Sequence, residues 1–272
     1  MIYRHGGAGA AKYSEHNIID CIENTSEWKR YVADGAKNAD LLGQALCKAF
    51  EDLDAKLRQH QDDGGQTDTS GCTANTVMIT PTHIVCANAG DSRCVLSTLS
   101  GVKAMSVDHK PTDELEKKRI QAAGGTVHMK RVDGDLAVSR TFGDFAYKNR
   151  TDLPAAQQKV SPVPDIVIHQ RTNDDEFILL ACDGVWDVLS NEDAVAYARS
   201  IFAAGESNIV LVAEEIVDHA LDKGSRDNIS AVIATLPGLR TGSGGGVLEM
   251  RAKRDAAKKK PNTMDQSIDH SG

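Results

Sequence analysis

The segment Glu176–Phe202, EFILLACDGVWDVLSNEDAVAYARSIF, constrains this chain more than any other. Its apolar run Phe177–Cys182 is unbroken, as in a strand buried on both faces, and falls far short of the ~20 residues of a membrane helix. A turn bearing Asp183 and Asp187 follows, then a helix opening at Ser190. Ser190 with Asp193 three residues on is close to a capping box.

Two further aspartates sit at strand ends. Asp227 directly precedes the apolar strand of NISAVIATLP, and Asp91 ends the strand that begins near Ile84 and runs into CANAGDSR. If the strands of Asp183 and Asp227 run antiparallel, both carboxylates lie on one edge of a sheet. Asp at a strand end is ordinary turn chemistry for any one of them. Three together repel one another, and a divalent cation is the simplest means of keeping them ionised. Oxygen donors without nearby His or Cys favour Mg²⁺ or Mn²⁺.

The rest of the chain frames this cluster. Apolar residues at three- and four-residue intervals predict helices over 7–22 and 39–60, with others over about 113–123, closed by Gly124–Gly125, and 208–223. Short apolar runs between Cys72 and Val107 predict an antiparallel meander, and two strands are expected to flank VDGD at Val132–Asp135. With 272 residues and 40% hydrophobic content the chain can hold one sizeable domain. A net charge of -8 argues against a nucleic-acid partner. The six cysteines form no C-x-x-C pair and none begins C-x5-R, which excludes a cysteine-based phosphatase loop. No secretion signal is legible, so a cytoplasmic or nuclear location and no membrane partner are expected.

The blocks SGCTA (Ser70–Ala74), NAGDSR (Asn88–Arg93), DHKP (Asp108–Pro111), RIQAAGG (Arg119–Gly125), RVDGDLAVSRTFGD (Arg131–Asp144), ACDGVWDVLS (Ala181–Ser190) and SRDNIS (Ser225–Ser230) resemble, in order, those of metal-dependent protein serine/threonine phosphatases of type 2C. The resemblance covers about residues 5–236. It implies an α+β fold, two packed antiparallel sheets flanked by helices in a four-layer α-β-β-α sandwich, with metals at one end. It also implies two Mg²⁺ or Mn²⁺ ions held by Asp183 and Asp227, a weaker third site at Asp91, and Asp187 acting from behind. His5 would be the acid that protonates the leaving serine or threonine oxygen. The implied substrates are phosphorylated proteins, and a monomer is expected.

The chain departs from the family at its start. Where the family has Asp-Gly before the His-Gly-Gly, Tyr3 and Arg4 stand here, and the family's upstream strand with its acidic pair is not present. The expected domain is therefore 1–237, incomplete at its N-terminus, and Arg4 is expected to turn away from any metal. The alternative is a catalytically impaired or inactive relative that acts as a phosphoprotein-binding or regulatory module. DGDLA (Asp133–Ala137) matches an aspartyl-nucleophile phosphatase motif poorly, and Asp133 reads as a turn residue. Residues 238–272 read as a disordered polar and basic tail.

Overall fold

The computed structural model describes residues 1–63 and 68–258, apart from the side chains of Tyr3, Arg4, Asp62, Asp63, Ala257 and Lys258. In chain order the elements are β1 (Ile2–His5), α1 (Gly9–Asn24), α2 (Ser26–Ala33), α3 (Ala39–Asp63), β2 (Gly71–Ile79), β3 (His83–Ala89), β4 (Arg93–Thr98) and β5 (Gly101–Ala104). There follow α4 (Glu114–Ala122), β6 (Val127–His128), β7 (Arg131–Val132), β8 (Phe142–Gly143), β9 (Asp165–Gln170), β10 (Asp175–Ala181), α5 (Asp183–Trp186), α6 (Asn191–Ala203), α7 (Ile209–Asp222), β11 (Ala231–Thr235) and α8 (Gly246–Lys258).

Two antiparallel sheets stack face to face. One runs β1-β2-β3-β9, with β8 also on β2; the other runs β11-β10-β4-β5. Ile84 and Cys86 from the first sheet meet Cys94, Leu96, Ile178 and Leu180 from the second in a layer buried between them. Helices α1 and α3 bury Ala10, Leu42, Leu46, Phe50 and Leu53 on the outer face of the first sheet. Val195, Ile201 and Phe202 of α6 and Val212 and Ile216 of α7 cover the second. The result is the expected four-layer sandwich. It explains why Phe177–Ala181 is apolar at every position: β10 is buried on both faces.

Capping chemistry places the helices. Ser190 accepts from the Asp193 backbone N–H and Asn208 from that of Val210, so α6 and α7 start where their side chains satisfy otherwise unpaired donors. At the end of α4, Gly124 at φ +81° donates to the Gln121 carbonyl and Gly125 to that of Ile120.

Three expectations change. The 72–107 meander is two hairpins in different sheets: β2–β3 belong to one and β4–β5 to the other, joined by Gly90–Ser92. Gly90, at φ +121°, passes so close to Thr73 that a Cβ would lie 2.4 Å from its side chain. The hairpin near VDGD turns earlier, at Met129–Lys130, both at positive φ, so β7 ends on the motif's first residue, Val132, and among the described residues the far side of the motif is tied back in strand pairing only by the Val132–Leu136 bridge.

The third change concerns the tail. Residues 246–258 form α8, which buries Val247 completely in the core of the second sheet's helices. Glu215 of α7, also completely buried, demands cationic partners there, and Arg251 and Arg254 supply them at 2.6 and 2.8 Å. Burial alone would raise the Glu215 carboxyl, but hydrogen bonds from Arg251, Arg254 and Tyr197 outweigh it and hold the group below its usual range. The expectation for residues 259–272 lies outside the described residues.

Candidate active site

The register gathers the strand-end aspartates. Ala181 of β10 pairs with Ala231 of β11 on one side and Arg93 of β4 on the other. Asp183, Asp227 and Asp91 each lie two to four residues beyond these positions, at one end of the second sheet. They line a cavity of about 990 Å³ together with His5, Thr73, Asp144, Arg58, Arg131 and Tyr147.

Asp183 opens α5. Its carboxyl is pushed up to about 6, first by burial and then by the negative charges of Asp91, Asp227 and Asp187. Asp91 is buried, and one of its oxygens accepts from the Lys110 ammonium at 2.5 Å. Asp227 accepts from the Asn228 backbone N–H at 2.7 Å. Asp187 is exposed and outside the cavity lining; its backbone N–H donates to the Asp183 carbonyl at 2.8 Å, and its charge acts on Asp183 through space. Asp133 does not line the cavity and is turned to an ion pair with Lys159 at 2.8 Å.

His5, at the end of β1, faces these carboxylates from the first sheet. Its Nε2 lies 2.7 Å from Asp144 Oδ2, which also accepts from the Thr141 hydroxyl at 2.7 Å. The contact exists because of Gly71. Along β2, Gly71 pairs with His5 on β1 and with Gly143 on β8. A Cβ at Gly71 would lie 2.0 Å from Asp144 Oδ2 and 2.5 Å from His5 Nε2. Tyr3 and Arg4 pair with Thr73 and Cys72 along the backbone; where their side chains turn lies outside the described structure.

The donor set suits a hard divalent cation in type and in charge: three carboxylates crowded enough to raise one of them above its usual range. Among the described residues, no three His, Cys, Asp or Glu side chains converge closely enough to hold an ion, and Lys110 occupies part of Asp91. Sequence reasoning missed Asp144, Lys110 and Gly71. Asp144 follows a two-residue strand, too short to show a period, and Lys110 and Gly71 acquire meaning only from what folds against them.

The protein phosphatase 2C family profile matches residues 1–229. The chain is 39% identical over 234 residues to protein phosphatase 1A of Homo sapiens, an alignment covering 86% of this chain and 60% of that protein. It is 41% identical over 223 residues to protein phosphatase 2C homolog 2 of Schizosaccharomyces pombe, covering 81% and 57%. The chain thus spans about 60% of the length of the curated relatives it matches. Among solved structures, serine-threonine phosphatase 2C from Toxoplasma gondii superposes with a TM-score of 0.72 at 23% identity, over 85% of this chain and 82% of that one. A phosphatase from a pathogenic strain of the same organism gives 0.71 at 26% identity, over 87% and 83%. With most of its length matched by the family profile and two curated relatives near 40% identity, this chain belongs to the protein phosphatase 2C family.

Proposed function

We propose that the chain dephosphorylates phosphoserine and phosphothreonine in proteins, with water as the nucleophile. The observation that carries this reading is the meeting of His5, from one sheet, with Asp91, Asp183 and Asp227, from the other, on a single cavity. Asp183 and Asp227 would hold Mg²⁺ or Mn²⁺, with Asp91 serving a weaker site; such ions acidify water and offset charge on the phosphoryl group. His5 has Nε2 committed to Asp144, which leaves Nδ1, in the form of the ring that carries both protons, to pass one to the departing alkoxide. No Ser or Cys nucleophile is needed, since phosphoryl transfer asks mainly for positioning and charge stabilisation. The reading is tested by hydrolysis of a phosphothreonine peptide with saturating Mn²⁺: Asp183→Asn and His5→Ala should each slow it at least tenfold.

A second reading, a phosphoprotein-binding or regulatory relative, is favoured by the Lys110 ammonium on Asp91 and by Tyr3 and Arg4 where the family has Asp-Gly. The Tyr3→Asp/Arg4→Gly variant separates the two. If it hydrolyses the peptide several-fold faster than the natural chain at saturating Mn²⁺, those positions limit catalysis. Equal rates mean the carboxylates present suffice, and no hydrolysis by either chain, with retained phosphopeptide binding, favours the regulatory reading.

A further inference from the structure

The segment 139–148 presents Asp144 to His5 from a loop, yet buried charge grips it at both ends. At the start, Glu116 of α4, buried to 4% side-chain exposure, accepts from the Ser139 hydroxyl at 2.6 Å and from the Arg140 guanidinium at 2.8 Å. At the far end, the Lys148 ammonium is 3% exposed and donates to both oxygens of Asp54 on α3 at 2.8 Å and to the Thr141 carbonyl at 2.8 Å. Asp54 Oδ1 also accepts from the Gly143 backbone N–H at 2.8 Å. One helical turn on, Arg58 donates to the Lys148 carbonyl at 2.8 Å and lies over the Phe145 ring at 4.3 Å.

We propose that Asp54 and Lys148 are positioning residues for His5: their buried ion pair closes the Thr141–Lys148 turn and so fixes Asp144, which sets the plane and tautomer of the imidazole. The inference rests on the reading of His5 as the proton donor.

Three observations converge on it. Neither Asp54 nor Lys148 lines the cavity, so neither has direct business with substrate. The turn they close holds Gly143 at φ +74° and Asp144 at φ +52°. The left-handed region is unfavourable for an aspartate, and such a conformation persists where surrounding contacts over-determine it. Gly143 N–H to Asp54 and Lys148 to Thr141 are contacts of that kind, one on each side of Asp144. The pair is also costly to keep: burial pushes the Asp54 carboxyl up and the Lys148 ammonium down, each against its charged form. A well-packed apolar pair is often as stable as a buried ion pair, so retaining one calls for a use in specifying geometry.

The test reads the imidazole directly. In the full chain with ¹⁵N-labelled histidine, and with His5→Gln identifying the signal, the His5 ring should show one fixed tautomer, protonated at Nε2. In the Asp54→Leu/Lys148→Met double variant, checked for native near-UV circular dichroism, that signature should give way to tautomer averaging, as in Asp144→Ala. Where the double variant does not fold, Asp54→Asn, which keeps shape and an acceptor for Gly143, takes its place. For phosphothreonine peptide with Mn²⁺, kcat should fall about tenfold with KM unchanged, and adding the double substitution to Asp144→Ala should bring no further loss. A folded variant whose His5 spectrum is unchanged overturns the proposal, whatever its melting temperature. If the natural chain hydrolyses no peptide while the ring spectrum still responds, the phosphatase reading fails and the positioning role stands.

Discussion

The imidazole of His5 and the carboxylate of Asp144, 139 residues apart in sequence, meet at 2.7 Å across the backbone of Gly71. Three strands take part, and two of them must lack a side chain here: Gly71 on the middle one, and Gly143 on β8, whose Cβ would lie 2.3 Å from the Ser70 carbonyl oxygen. In Gly71→Ala the new methyl group would fall on both partners. We expect a stability loss of about 1–3 kcal/mol, typical of overpacking, together with a loss of peptide hydrolysis comparable to that of Asp144→Ala. Hydrolysis at the natural rate by a folded Gly71→Ala protein would show that the His5–Asp144 contact is dispensable.

Mn²⁺ binding followed by calorimetry should weaken strongly in Asp183→Asn and Asp227→Asn and little in Asp133→Asn, whose carboxylate is turned to Lys159 outside the cavity. Equal loss in all three would place the ion elsewhere.

Lys110 sets a second test at the same site. Its ammonium sits on Asp91 where a cation would otherwise compete. Lys110→Met should tighten Mn²⁺ binding at the weakest site on the order of tenfold, which is about 1.4 kcal/mol. Weaker binding instead would mean that Lys110 holds Asp91 in a ligating position.

The Asp183 carboxyl, at about 6 in the fold and about 3.9 in the unfolded chain, gives a pH dependence of known sign. The metal-free folded state binds the extra proton between these values. The stability this group contributes is therefore complete below about pH 4 and lost as pH rises through about 6. Added Mn²⁺ competes with that proton, so its affinity should rise about tenfold from pH 5 to pH 7. Melting temperatures with and without EDTA, compared with Asp183→Asn, read both effects. A pH response identical in the two proteins would remove Asp183 as the titrating group.

Ending the chain at Gly245 removes α8, and with it the fully buried Val247 and both arginine partners of Glu215. At ~2–4 °C per kcal/mol for a chain of this size, we expect the melting temperature to drop by roughly 5 °C or more. An unchanged melting temperature would show that α8 contributes nothing to the core.

Much of this protein is local and therefore legible in the sequence. Continuous burial of β10 wrote itself as Phe177–Cys182, and the α6 start as Ser190 followed by Asp193. The turn aspartates at 91, 183 and 227 announced strand ends because short carboxylates, two of them beside glycine and the third beside Asn228, favour turns. The resemblance of ordered blocks supplied the sandwich and the family. The tail misled because α8 has only three large apolar residues; besides Val247, what docks it is a buried glutamate on α7, some forty residues away, which no local pattern reveals.

What the sequence determined, then, is whatever depends on a residue and its near neighbours: which segments are strands and helices, where they stop, and that carboxylates gather at the stops. The tertiary structure decided which groups face each other. It sent β4 into the second sheet through the close approach of Gly90 to Thr73, opened a gap at Gly71 for His5 to reach Asp144, and locked that turn with Asp54 and Lys148. Burial and like charge, which raise Asp183, arise only when distant strands pack, because desolvation and Coulomb repulsion depend on separation in space and not along the chain.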